Sequence, residues 1–230
     1  MKDLNVIIPT LNEEGNVGKM IDRLIKLYPD IHITIVDDGS KDKTCDIVKS
    51  KADLNHNIKL IDRSRKKIKG LTISVLEGIL HSRSTYFVVV DCDFQHPLEK
   101  IMDMYFTLAA NHLVIGVRKK EAGWSIQRKL ISKFAIFLGT IRLRIVGKNF
   151  KDIVSGFFGG RTDYFKVIIK KLREHDKFEL SGYKILFDLL KYLPKETKVG
   201  YVCYDFQLRT EGESKIGKRH IFCYLRSLIK

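Results

Sequence analysis

Five short runs of β-branched and other apolar residues, at 4–8, 32–36, 58–61, 86–90 and 113–117, alternate with stretches whose apolar positions recur at helical spacing. Runs of that length suit buried strands. Strand–helix alternation predicts an α/β fold with a mostly parallel sheet, right-handed crossovers and helices on its faces. After the first run, Asn12 can cap a helix whose first turn holds Glu13 and Glu14 against the helix dipole. Val17, Ile21, Leu24 and Tyr28 then keep helical spacing, and Pro29 ends the element. Further helices are expected near 43–50, 72–81 and 97–110. A chain of 230 residues can bury one substantial core, and no repeat or low-complexity linker divides it. A single domain over 1–230 is therefore expected, with halves of different character at 1–117 and 118–230.

In an open α/β sheet the ligand crevice lies beyond the carboxyl ends of the strands. The polar residues gather there: Pro9-Thr10, Asp37-Asp38, Asp62-Arg63 and Asp91-Cys92-Asp93 follow the first four runs. One Asp after a strand is commonly a turn or cap residue. Acidic groups arriving at one rim from three strand ends are harder to explain that way. Asp91-x-Asp93, with Gln95, supplies hard oxygen donors of the kind that suit Mg²⁺ or Mn²⁺, ions that take few protein ligands and share themselves with substrate phosphates. Taken alone, the pair also reads as a cap ahead of the helix at Pro97.

Charge points to an anionic partner. Lys+Arg number 42 against 27 Asp+Glu, a net +15, which favours nucleic acid, lipid headgroups or phosphorylated ligands; a merely solvated lysine-rich surface is the plain alternative. Residues 118–148 hold nine Lys/Arg and one Glu, and 130–146 are strongly apolar around Lys133, Arg142 and Arg144. That pattern reads as a basic amphipathic helix, lying on a membrane or packed with a basic face outward. Helices near 164–172 and 182–192 and a strand near 198–204 follow. The tail, 215–230, is again basic and apolar and could also lie on a membrane surface. The longest stretch without a charged residue, 104–117, is too short to span a bilayer. The N-terminus, with Asp3 and Pro9, lacks the apolar run of a signal peptide. Cys45, Cys92, Cys203 and Cys223 form no C-x-x-C pair, which makes a reducing, intracellular compartment the default. His32, His56 and His175 show no ligand spacing.

Ile8-Pro9-Thr10-Leu11-Asn12-Glu13, Val36-Asp37-Asp38-Gly39-Ser40 and Asp91-Cys92-Asp93-Phe94-Gln95-His96-Pro97 occur in that order and at that spacing. In them the chain resembles the family 2, GT-A-fold glycosyltransferases, and among these the dolichyl-phosphate mannose synthase group. The likeness continues through Gly116-Val117-Arg118, Trp124 to Arg128 and Ser132, Asp152-x-x-Ser155-Gly156-Phe157 and Arg209-x-x-Gly212-Glu213-Ser214-Lys215. The resemblance implies a GT-A domain with C-terminal amphipathic helices, its first half binding a nucleotide-sugar and its second facing acceptor and membrane.

Carried over by position, it implies that Pro9, Leu11, Glu13, Val36 and Asp38 hold the nucleoside. Asp91, Cys92, Asp93 and Gln95 would form the metal and diphosphate site for Mg²⁺ or Mn²⁺, with Asp91, Asp93 and Gln95 nearest the ion. Arg118, Arg209 and Lys215 would add positive charge, and Arg128 and Ser132 would meet an acceptor phosphate. It implies inverting hexose transfer, GDP-mannose favoured as donor, to a polyprenyl phosphate such as dolichyl phosphate. The expected location is cytoplasmic, peripheral on the cytoplasmic face of a membrane, with a separate membrane-anchoring protein as a further partner. Leu11 stands where many members have Tyr, Cys92 where most have Ala, and Gly70-Leu71-Thr72 where Gly-Leu-Gly is common; the last leaves UDP-glucose or another donor open. A family 2 enzyme acting on a polysaccharide is the main rival. A nucleic-acid-binding protein is disfavoured, because an acidic rim repels phosphates unless a metal intervenes. A nucleotidyltransferase is disfavoured because its N-terminal Gly-rich phosphate loop is missing.

Overall fold

Alternate residues of the first strand enter opposite cores. In a computed structural model, Leu4, Val6 and Ile8 of β1 (Leu4–Thr10) pack with Val17, Met20, Ile21 and Leu24 of α1 (Val17–Leu27), while Ile7 faces the other way. The structure describes residues 1–121, 126–208 and 218–230, and only the backbone at 120, 121, 126–132 and 218–220. The remaining elements are β2 (His32–Asp37), α2 (Thr44–Leu54), β3 (Ile58–Asp62), α3 (Leu71–His81), β4 (Tyr86–Val89), α4 (Lys100–Leu108), β5 (Leu113–Glu121), α5 (Ile126–Ile145), β6 (Phe158–Arg161), α6 (Thr162–Glu174), α7 (Ile185–Tyr192), β7 (Val199–Phe206) and α8 (Lys218–Ile229). The strands form one sheet in the order β3-β2-β1-β4-β6-β5-β7. All neighbours are parallel except β6, which runs antiparallel to β4 and β5. One face is covered by a core that includes α1 and α4, the other by one that includes α3, α6 and α7.

The five expected strands and the mostly parallel sheet are present. β6 is not legible from periodicity, because its centre is Gly159-Gly160. Glycine is required there by close approach: a Cβ at 159 would lie 2.6 Å from the Phe87 carbonyl oxygen, and one at 160 would lie 2.5 Å from the Phe165 ring.

The first helix starts later than its capping signal suggested. Asn12 adopts φ 52°, and α1 begins at Val17 behind Asn16. The N–H groups of 12–14 instead find tertiary partners: Asn12 N donates to Ser40 Oγ (2.7 Å), Glu13 N to Thr44 Oγ1 (2.8 Å) and Glu14 N to Asp42 Oδ2 (3.1 Å). Asn12 Oδ1 accepts from Lys41 N at 2.8 Å. With those donors satisfied across the rim, the helix has no need to begin earlier. This loop is thereby laid against the one that follows β2.

Candidate active site at the carboxyl rim of the sheet

The two carboxylates after β2 do different work. Asp37 is fully buried and holds the turn: Oδ1 accepts from Gly39 N (2.9 Å) and Ser40 N (2.7 Å), and Oδ2 from Thr10 Oγ1 (2.9 Å) and Ser40 Oγ (2.5 Å). Gly39 takes φ 95°, a conformation that glycine adopts without strain. The next carboxylate, Asp38, is gripped from the adjacent loop. Its Oδ1 pairs with Arg63 Nη1, and its Oδ2 accepts from Gly70 N at 2.6 Å. Burial pushes the Asp38 carboxyl up from its ordinary value, opposed by the Gly70 N–H and the Arg63 charge.

Arg63 is the hub of this corner and received no role from sequence. It is 1% exposed, pairs also with Glu77 Oε2 (3.0 Å), and donates to Ser74 Oγ (3.1 Å) and the Ile68 carbonyl (2.9 Å). Its only signal was its place directly after a strand. Pro9 is half-buried and Leu11 exposed on the same rim, whereas Val36 and Cys92 are buried in the cores. Only the main chain of Val36 and Cys92 can therefore meet a ligand.

After β4 the chain folds into a tight acidic turn. Asp93 Oδ1 accepts from Gln95 N at 3.0 Å, with Phe94 between them at φ 61°. Gln95 is tied to the end of β7: its Nε2 donates to the Gln207 carbonyl (3.3 Å), and its own carbonyl accepts from Gln207 N (2.9 Å). Asp93 and Gln95 are buried, while the Asp91 side chain is 35% exposed. Behind Asp91 stands His96, stacked on Phe157 with centroids 5.2 Å apart. Burial lowers the His96 pKa to about 4. The ring is therefore neutral near pH 7, and its Nδ1 accepts from Asp91 N at 3.3 Å.

The donor set fits a hard divalent cation. It offers two carboxylates and an amide, and Gly156 keeps room beside Asp91, since a Cβ there would lie 2.9 Å from Asp91 Oδ2. Among the described residues no group of three or more His, Cys, Asp and Glu forms a protein cage. Such an ion would complete its shell from phosphate oxygens, as Mg²⁺ commonly does.

Arg118, on β5, pairs with Asp152 at 2.7 Å. Arg128 and Ser132 share α5, four positions apart, but their side chains lie outside the described residues, as do Arg209 and Lys215 altogether. The rim thus gathers Pro9, Leu11, Asp38, Asp91, Asp93 and Gln95 from β1, β2 and β4.

The sequence profile described as "Glycosyl transferase family 2" matches residues 5–169. The chain belongs to glycosyltransferase family 2. A dolichol-phosphate mannosyltransferase of Pyrococcus furiosus is 34% identical over 99% of this chain, which spans 63% of that protein's length. A dolichol-phosphate mannosyltransferase of Saccharomyces cerevisiae is 29% identical, over 98% of this chain and 85% of that one. Among solved structures, glucosyl-3-phosphoglycerate synthase from Mycobacterium tuberculosis, in complex with Mn²⁺, UDP and phosphoglyceric acid, superposes with a TM-score of 0.62. It shares 16% identity, over 98% of this chain and 75% of that one. At that identity the likeness shows the fold alone, a mostly parallel GT-A-like sheet flanked by helices.

Proposed function

We propose that this family 2 protein transfers mannose from GDP-mannose to a polyprenyl phosphate, inverting the anomeric carbon, at a membrane surface. The observation that carries this reading is the likeness, along nearly the whole chain, to proteins named dolichol-phosphate mannosyltransferase.

Asp91 and Asp93, with Gln95 beside them, would hold Mg²⁺ or Mn²⁺, which would supply positive charge to offset that of the departing nucleoside diphosphate. The rim formed by Pro9, Leu11, Glu13, Asp38 and the main chain of Val36 receives the nucleoside. Arg118, Arg209 and Lys215 add positive charge for the diphosphate, and Arg128 with Ser132 receives the acceptor phosphate. A phosphate monoester is anionic near neutral pH and attacks the anomeric carbon without a general base. The bond from that carbon to the diphosphate breaks as the new one forms on the opposite face. His96 fits this scheme, since it is held neutral against the Asp91 N–H rather than offered to a substrate.

Gly156→Ala tests the cradle. Its Cβ would crowd Asp91 Oδ2, the mobile end of a side chain, so the fold should tolerate it while the carboxylate shifts. Melting temperature should change little, and Mn²⁺-dependent nucleotide binding should fall by about 10-fold. Unchanged Mn²⁺ dependence would remove Asp91 from the metal site. Donor identity is read from thermal shifts in Mn²⁺: GDP-mannose at 100 times its Kd should stabilise the protein by about 2.7 kcal/mol. Greater stabilisation by UDP-glucose at equal concentration would overturn the choice of donor.

The membrane surface is supported by exposed apolar residues on two adjoining helices. Phe134, Phe137 and Ile145 of α5 and Phe222, Leu225 and Ile229 of α8 are exposed, with Lys133, Arg144 and Arg226 among them. The helices are joined by Tyr224 Oη donating to the Ala135 carbonyl (2.6 Å) and Arg142 Nε to the Leu228 carbonyl (2.9 Å). Among the described residues no helix is long and apolar enough to cross a bilayer. Peripheral attachment at the cytoplasmic face, alone or beside an anchoring protein, is the arrangement we propose. In flotation assays the protein should rise with anionic liposomes at low ionic strength and less so at high salt. Protein that stays in the soluble fraction at low salt would reduce these faces to solvated surface.

A further inference from the structure

Asp152 grips Arg118 through three hydrogen bonds. Arg118 N (3.1 Å) and Nε (2.8 Å) donate to Oδ2, and Nη2 (2.7 Å) donates to Oδ1. The two side chains are only 10% and 7% exposed. The guanidinium lies over the Phe206 ring, 5.8 Å from its centroid. Asp152 itself sits at φ 41°, a left-handed conformation uncommon for a residue with a side chain, and its carbonyl accepts from Ser155 N at 3.0 Å. Such conformations persist where the surroundings over-determine them, and they concentrate at functional sites. The same short loop runs on to Gly156 beside Asp91. One segment therefore sets both the orientation of Arg118 and the space around Asp91.

We propose that Asp152 is the positioning residue for Arg118: by holding Nε and Nη2 it fixes the guanidinium plane, and with it the direction in which the positive charge meets the donor diphosphate. The assignment rests on the reading of Arg118 as a diphosphate contact.

Two effects of opposite sign compete at Asp152. Its charge partly cancels that of Arg118, so removing the charge alone would raise the positive potential and tighten an anionic ligand. Its two oxygens hold a long side chain in one rotamer, so removing that hold would weaken binding. A bidentate, nearly buried pair with a third bond from the main chain makes orientation the larger effect.

Calorimetry in Mn²⁺ decides the sign. The ligands are the nucleoside diphosphate that wild type binds, GDP being the expected one, and its nucleoside, measured by competition. Asp152→Asn should weaken the diphosphate by about 10-fold and leave the nucleoside unchanged. In an Arg118→Ala background Asp152→Asn should add nothing, because the two residues act as one unit. Arg118→Lys keeps the charge without the fork, so it should lose diphosphate affinity with Asp152 intact; it carries the test alone should Asp152→Asn fail to fold. Tighter diphosphate binding by Asp152→Asn, equal losses for nucleoside and diphosphate, additive losses with Arg118→Ala, or wild-type affinity in Arg118→Lys would each overturn the assignment. Wild-type protein that binds no nucleoside diphosphate would overturn the donor reading and this assignment together. Normal wild-type binding with an unaffected Asp152→Asn would overturn the assignment alone.

Discussion

Arg63→Met should destabilise the fold by about 3–5 kcal/mol, the cost of removing one partner from a buried ion-paired cluster. Methionine replaces the stem of the side chain but none of its donors. Asp38 and Glu77, whose side chains are 10% and 16% exposed, would lose the charge that compensates them. Ser74 Oγ and the Ile68 carbonyl would lose a donor as well. The pH dependence has a definite sign. Burial already raises the Asp38 carboxyl above its ordinary value, and removing Arg63 takes away one of the interactions that oppose it. A carboxyl with a raised folded-state pKa favours the native state at low pH, and that contribution is lost as pH rises through the folded value. The deficit of Arg63→Met should therefore be largest near pH 7 and shrink toward acid. Urea unfolding at two pH values measures it. A deficit below about 1 kcal/mol, or one indifferent to pH, would mean that the cluster is not held by this charge.

Asp93→Ala should lower sugar transfer by on the order of 10²–10³-fold or more, the scale of losing a group that stabilises charge developing on a leaving group. Alanine also removes the acceptor for Gln95 N, so part of its effect would come from a loosened turn. Asp93→Asn separates the two contributions. Its amide oxygen can still accept from Gln95 N, but it lacks the negative charge that binds a cation. Both variants should be nearly inactive, with Asp93→Asn retaining the melting temperature of the wild type. Near-normal transfer by Asp93→Asn, or transfer that survives EDTA, would exclude the metal role.

The strands were legible because buried parallel strands read as short apolar runs, and β1 to β5 are of that kind. β6 was hidden because the space between Phe87 and Phe165 excludes a Cβ, leaving glycines where a periodic pattern would otherwise stand. The start of α1 was misplaced for a related reason: the cap-like Asn12-Glu13-Glu14 spends its N–H groups on Ser40, Thr44 and Asp42, partners distant in sequence. At the site, the acidic residues announced themselves by their place after strands. Their division of labour did not. Asp37 and Asp38 are adjacent and chemically identical, and only the turn geometry makes one a bracket and the other part of the Arg63 corner. Arg63 and Asp152 act through partners that only folding brings near.

The most direct test of sugar transfer to lipid phosphate uses the purified chain, GDP-mannose, Mn²⁺ and dolichyl phosphate in anionic liposomes. Mannose should move into the lipid fraction as a mannosyl phosphate of inverted, β configuration, and transfer should stop when the lipid phosphate is omitted. GDP-mannose that is bound or hydrolysed with no lipid product, or mannose that passes instead to a polysaccharide, would contradict the account.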